Sequence, residues 1–240
     1  MLSSYYVSLS SQLALDKRMS TIATNVANSS TIGYRASGVT FETTLSKVGP
    51  TPTAYASSGK DFISTAQGPL TKTDNPFDVA VQGEGWLAIR TPNGVAYTRD
   101  GRLKMMETGE LRTLEGYPVL DAGNAPITLD PTLGPPMIFR DGMVNQGDIQ
   151  VGALGLFSID REAALTRGPN SSVIPSLPAT PILDFSVNGI TQGFIEGANI
   201  NPMAELTKLI TTSRSFESVN SVYDTLDSAQ KDAIRTLGGA

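Results

Sequence analysis

The sequence predicts an α+β fold with a long helix at each end of the chain and antiparallel β-structure between them. Three observations predict it. Apolar residues recur at helical spacing near both termini. From residue 77 onward, short alternating runs are punctuated by glycine turns about every 7–10 residues. Pro-, Gly- and Ser-rich stretches connect the two kinds of pattern.

The first helix is expected over Leu2 to Asn28. Leu2, Tyr6, Leu9 and Leu13 form one apolar stripe, while Leu15, Met19, Ile22 and Val26 repeat the spacing on a second face. Asn28-Ser29-Ser30-Thr31 marks its end, with Gly33 reversing the chain. Arg35 to Asn75 holds scattered apolar residues (Val39, Phe41, Leu45, Phe62) and the turn sequence Gly49-Pro50-Thr51-Pro52, and reads as extended structure laid against something else. Strands begin at Phe77, Val79 and Val81 and continue through Trp86-Leu87-Ala88-Ile89. Turns are expected at Pro92-Asn93-Gly94, Asp100-Gly101, Thr108-Gly109, Glu115-Gly116, Ala122-Gly123-Asn124, Asp141-Gly142 and Gln146-Gly147. No helical crossover fits between them, so the sheet is expected to be antiparallel, of a meander or open-barrel type. A second Pro-rich stretch leads to Asn201-Pro202, an N-cap followed by a proline whose missing N–H costs nothing at the first helical position.

The last helix is expected to run to about Thr236 and to close at Gly238-Gly239. Met203, Leu206 and Ile210 form one stripe; Leu209, Phe216, Val219, Tyr223, Leu226, Ala233 and Leu237 form a longer one, interrupted by Thr212 and Gln230. The expected layout is an N-terminal helix (1–34), an extended connector (35–75), a β domain (76–175), a returning connector (176–200) and a C-terminal helix (201–240). A helix needing partners on two sides suits a bundle or a packed polymer, although a single stripe usually means an intramolecular core. Burial along one such helix does not offset the entropy of ordering it, so the ends are expected to be largely disordered in a monomer and to fold when subunits stack.

Composition excludes several classes of function. The 18 basic residues against 23 acidic give a net charge of −5, with no basic run to meet a phosphate backbone, so nucleic-acid binding is not expected. No stretch is apolar enough to span a membrane. The Ser-interrupted, uncharged start does not read as a cleaved secretory signal. With neither histidine nor cysteine, no Ser-His-Asp triad, disulfide or His/Cys zinc site can form, and no cofactor is expected. Gly83-Glu84-Gly85 reads as a strand turn, lacking the further glycine and helix of a phosphate loop. Asp78, Glu84, Asp100, Glu107, Glu110, Glu115 and Asp121 could supply a glycosidase-like carboxylate pair, and Asp141 with Asp148 a calcium loop, but their glycine-rich surroundings favour turn formation. Trp86 is expected in the β core; Tyr34 is either an interface anchor or a staple that ends a helix.

Three separated segments resemble the bacterial flagellar rod and hook protein family. They are Ile22-Ala23-Thr24-Asn25-Val26-Ala27-Asn28-Ser29-Ser30-Thr31-Ile32-Gly33-Tyr34-Arg35, Phe77-Asp78-Val79-Ala80-Val81-Gln82-Gly83-Glu84-Gly85-Trp86-Leu87 with Tyr97-Thr98-Arg99-Asp100-Gly101, and Gly193-Phe194-Ile195-Glu196-Gly197-Ala198-Asn199-Ile200-Asn201-Pro202 with Arg214-Ser215-Phe216-Glu217. Thr24 and Ile32 depart from residues often found in that signature, Asn and Pro. The opening Tyr5-Tyr6-Val7-Ser8-Leu9-Ser10-Ser11-Gln12 and the modest length look more like the proximal-rod branch than the longer distal-rod one.

The resemblance implies terminal helices paired as a coiled-coil-like layer, and a non-enzymatic subunit of the hollow shaft that transmits torque and passes exported subunits. Implied partners are other rod proteins, copies of the same chain in a helical assembly, and the flagellar type III export apparatus; the implied location is the periplasmic rod of the basal body. Subunit contacts are expected at Leu9, Leu13, Met19, Ile22, Val26, Asn28, Tyr34, Asn199, Leu206, Leu209, Ile210, Phe216, Val219, Tyr223 and Leu226. The alternatives are a distal-rod subunit and, from another class, a secreted glycan-acting enzyme with a carboxylate pair.

Overall fold

The computed structural model describes residues 2–46 and 53–238. The turn expected at Gly49-Pro50-Thr51-Pro52, the final Gly239, and the side chains of Leu2 and Leu226 lie outside the described residues. The chain divides into two compact units, one comprising Met1–Ala27, Ser37–Phe62 and Asn201–Ala240, the other Asn28–Ala36 and Ile63–Ile200.

The first unit holds α1 (Leu2–Ala27), β1 (Ser37–Ser46), β2 (Thr53–Ile63, ending just past the unit) and α2 (Pro202–Gly238). α2 starts where its cap dictates: Asn201 Oδ1 accepts the N–H groups of Met203 (3.1 Å) and Ala204 (3.2 Å), and Glu205 in the first turn complements the helix dipole. β1 and β2 pair as a two-stranded sheet in a polar stretch where Thr, Val and Phe supply β-compatible side chains. Thr40 Oγ1 stitches them, donating to Lys60 O (3.1 Å) and accepting from Lys60 N (2.9 Å). Buried Asn25, near the end of α1, acts as a mock backbone group, accepting from Ser37 N and donating to Ser37 O, both at 2.9 Å. The Tyr5 ring meets Tyr223 edge-on at 5.4 Å, Gln12 donates to Asn220 (2.8 Å), and Asn25 to Glu205 (3.4 Å). These contacts climb α1 as they descend α2.

The second unit is almost entirely β. It contains β3 (Leu70–Lys72), β4 (Val79–Gln82), β5 (Trp86–Thr91), β6 (Gly94–Thr98), β7 (Leu103–Met105), β8 (Leu111–Thr113), β9 (Met137–Ile138), β10 (Met143–Gln146) and β11 (Ile149–Ala153). β12 (Leu156–Ser158), β13 (Leu165–Arg167), β14 (Val173–Pro175), β15 (Thr180–Pro181), β16 (Gly189–Gln192) and β17 (Phe194–Glu196) complete it. Six strands in the order β13-β14-β6-β5-β12-β15 form the main sheet, with antiparallel pairs throughout. The order is not a simple meander, because β12 crosses back to lie beside β5. Small sheets β11-β10-β9, β16-β4, β17-β3 and β7-β8 surround a core that includes Val79, Val81, Leu87, Ile89, Leu111 and Leu156.

Two turn expectations are refined. In the β5–β6 hairpin the loop is Pro92-Asn93, and the left-handed backbone falls on Gly94 (φ 116°), which pairs with Thr91; Asn93 is not among the described residues with positive φ. Asp100-Gly101 is no chain reversal. The segment runs beside β4, with Gly101 O accepting Val79 N at 2.9 Å, and a Cβ at Gly101 would lie 1.8 Å from Val79 O. Glycine is there so that two backbones can touch. Gly101→Ala is therefore expected to destabilise the protein by about 1–3 kcal/mol. Differential scanning fluorimetry should show the transition falling by roughly 2–4 °C for each kcal/mol lost.

Candidate assembly interface

The two stripes of each terminal helix differ in exposure. On α1, Leu15, Met19 and Val26 are half-buried and Ile22 is buried at 5%; on α2, Leu209, Phe216, Val219 and Tyr223 are half-buried. The remaining stripes point to solvent: Tyr6, Leu9 and Leu13 on α1, and Met203, Leu206 and Ile210 on α2, range from 39% exposed at Leu206 to 73% at Met203. Tyr5, Tyr6, Leu9, Gln12, Asn220 and Tyr223 line a shallow groove of about 320 Å³ within the first unit. A helix side that leaves several large apolar side chains in water is a surface suited to a partner.

Three of the expected interface residues, Asn28, Tyr34 and Asn199, lie in the second unit. Asn28 is half-buried and accepts Thr31 N through its carbonyl at 3.0 Å. Tyr34 is buried, with the Arg167 guanidinium 4.1 Å from its ring centroid in a cation–π contact, and partial desolvation lowers the pKa of Arg167. Asn199 is a staple between chain segments: its Oδ1 accepts Ala36 N (2.7 Å), while its Nδ2 donates to Ser64 Oγ (3.1 Å) and Ala66 O (2.8 Å).

The same unit contains a buried ion cluster that the sequence pattern did not announce. Glu196, fully buried, meets Arg35 at 2.7 Å through Oε1 and Arg99 at 3.0 Å through Oε2, and Oε1 also accepts Gly68 N at 2.8 Å. Arg99 donates to Val81 O (3.0 Å) and Gly83 O (2.6 Å), and Arg35 to Ala66 O. Two guanidiniums against one carboxylate leave an excess positive charge out of water. Both approach the Trp86 ring, at 5.5 and 5.3 Å, and its π face supplies part of the compensation. Among the described residues the Nε atoms of both arginines lack a hydrogen-bond partner. Desolvation lowers both pKa values, that of Arg99 to about 10, against the opposing pull of Glu196.

Most of the candidate catalytic carboxylates hold structural contacts. Asp100 receives Arg102 through two bonds (2.9 and 2.7 Å), which hold the Arg102 pKa above its usual value; Glu110 receives Arg112 (2.6 Å), and Glu84 meets Arg161 at 2.8 Å. Asp121 caps a turn through Gly123 N and Ala125 N, both 2.8 Å, and Asp141 does so through Met143 N at 3.1 Å. Asp78 is buried beside the bridge to Arg102, whereas Glu107, Glu115 and Asp148 are exposed. Among the described residues no group of three or more acidic side chains is placed to hold a metal ion.

Comparison with known proteins connects this geometry to an assembly. Residues 80–159 match the model for the flagellar hook protein FlgE/F/G D1 domain, and residues 191–236 that for the flagellar basal body rod FlgEFG protein C-terminal region. The chain is 48% identical to the flagellar basal-body rod protein FlgF of Mesorhizobium japonicum and 43% identical to that of Rhizobium meliloti, each over 98% of both chains. It is 34% identical to FlgF of Caulobacter vibrioides over 97% of both. Relatives named FlgG match at lower identity.

Asn199 offers a direct check on its role. Asn199→Ala strands the Ala36 N–H and two acceptors, and should lower the stability of the isolated protein by about 1–3 kcal/mol. A residue serving only a contact between subunits would leave the monomer's thermal midpoint unchanged.

Proposed function

We propose that this chain, which belongs to the family of the flagellar basal-body rod protein FlgF, is a structural subunit of the rod and not an enzyme. The observation that carries this reading is near-full-length similarity to FlgF proteins combined with solvent-facing apolar stripes on both terminal helices. In this reading α1 and α2 pair as a coiled-coil-like layer. Their inner seams, Leu15, Met19, Ile22 and Val26 with Leu209, Phe216, Val219 and Tyr223, hold the layer, and the outer stripes meet neighbouring subunits. Contacts in such a helical assembly are heterologous, each copy offering different faces to different neighbours, and two stripes per helix suit that requirement.

The domain layout follows the same logic, with the helical ends (1–34 and 201–240) assembling, the β domain (76–175) forming the body, and 35–75 and 176–200 serving as connectors. The partners are copies of the chain and other rod proteins, with delivery by the flagellar type III apparatus into the periplasmic rod. Placement in the proximal rod is favoured over the distal position by the higher identity to FlgF relatives. Among the described residues no helix is long and apolar enough to cross a membrane.

Two measurements test the proposal. Leu13→Glu and Ile210→Glu, at positions 63% and 55% exposed, should change the stability of the monomer by no more than about 0.5 kcal/mol. They should nonetheless abolish incorporation into basal bodies and swimming in soft agar. A glycan-acting enzyme would behave oppositely, losing function on neutralisation of a β-domain carboxylate such as Glu115 while still being incorporated. Far-UV circular dichroism should also show more helix in the assembled protein than in the monomer, since the terminal helices gain their stability from stacking; equal helix content in both refutes that part of the reading.

A further inference from the structure

Three stretches far apart in the chain, 33–36, 66–72 and 193–199, meet around Glu196, and they are held mainly by polar contacts. β3 is exposed along its length, and β17, its partner, is half-buried at Phe194 and Ile195. The fixed points are hydrogen bonds: Gly33 N to Glu196 O (2.7 Å), Gly68 N to Glu196 Oε1 (2.8 Å) and Gly197 N to Pro69 O (2.8 Å). The apolar core reaches into the returning segment chiefly through Ile190 on β16, before the cluster begins.

The two halves of the cluster close loops of different size. Arg99 finds Val81 O and Gly83 O 18 and 16 residues away, whereas Glu196 stands 97 residues from Arg99. The separation from Arg35 is 196 − 35 = 161 residues. Closing the longer loops costs more entropy. Until Glu196 arrives, moreover, neither guanidinium gains by leaving water, because a buried charge without its counter-ion is penalised. The apolar body around β5, β6 and β12 can condense first while both arginines stay hydrated.

We propose that the Arg35–Glu196–Arg99 cluster is a closing latch: it forms after the rate-limiting step in folding of the β body, and it sets how slowly the second unit comes apart. The inference is independent of rod assembly, since it is read on the monomer. Trp86, the one tryptophan of the chain, lies against both arginines and reports the latch directly by fluorescence.

The test is stopped-flow folding and unfolding of the full chain across a denaturant series, with Glu196→Gln and the charge-keeping Arg35→Lys. In both variants unfolding should accelerate by about tenfold or more, while refolding changes by less than about threefold. Ile89→Val, at the centre of the main sheet, serves as the contrast and should slow refolding. If Glu196→Gln does not fold, Arg35→Lys carries the same reading. A refolding rate that falls by the larger factor, an equal division between the two rates, or no change in either overturns the proposal.

Discussion

A carboxylate taken out of water between two guanidiniums fixes how three distant stretches of the second unit meet. Buried charge is tolerated only with near-complete compensation, and here compensation is drawn from parts of the chain that share no local structure: carbonyls at Ala66, Val81 and Gly83, an amide at Gly68, and the ring of Trp86. An apolar residue at position 196 could be equally stable, but it would accept many placements. Glu196 accepts one. β17 and β3 are three residues each, too short for a hydrophobic pattern to define their pairing. A slip of one residue would turn Glu196 to the opposite face and leave two arginines unpaired, so the charge supplies the register that strand length cannot.

The first unit follows a different rule. Its inward helix positions step by three and four residues, yet polar side chains repeatedly occupy them: buried Ser8 and Asn25 on α1, buried Glu205 and Thr212 on α2. Such a seam sacrifices apolar burial, and polar residues at seam positions specify alignment at a cost in stability. With the opposite stripes exposed, the unit keeps less of its apolar surface for itself than its composition allows. A body locked by ions and helices left partly unsatisfied are two solutions within one chain, one favouring a single shape and the other favouring neighbours.

The parts of this architecture that were legible in the sequence are those governed by local rules. Asn201-Pro202 marked the start of α2 because capping chemistry acts within three residues. The apolar residues from Phe77 to Val81 and the run Trp86-Leu87-Ala88-Ile89 marked β4 and β5, because both strands are buried on both faces. The order of the main sheet was hidden, since β12 reaches β5 across some 70 residues of chain and nothing nearby encodes that choice. β1 and β2 were obscured by their Ser, Thr and Gly content, which reads as connector although Thr and Val suit a strand. Gly101 was read as a turn because sequence does not distinguish a glycine that reverses the chain from one that admits a second backbone. The ion cluster was hidden for a related reason: Arg35, Arg99 and Glu196 each look solvated in their own segments, and only their meeting changes what they are.

That meeting also bears on what the family resemblance signifies. Of the segments that carry it, those around Gly33-Tyr34-Arg35, Trp86, Arg99 and Glu196 to Asn199 interlock in the second unit, while Ile22 to Ala27 and Arg214 to Glu217 lie on the helices of the first. The interlocking segments identify a body built to one plan. Similarity at the interlocking positions is therefore strong support for a common scaffold. In the proposed reading, the differences that place one rod subunit beside another lie among exposed side chains such as Leu9, Leu13, Leu206 and Ile210, where a change in volume leaves the fold that presents them undisturbed.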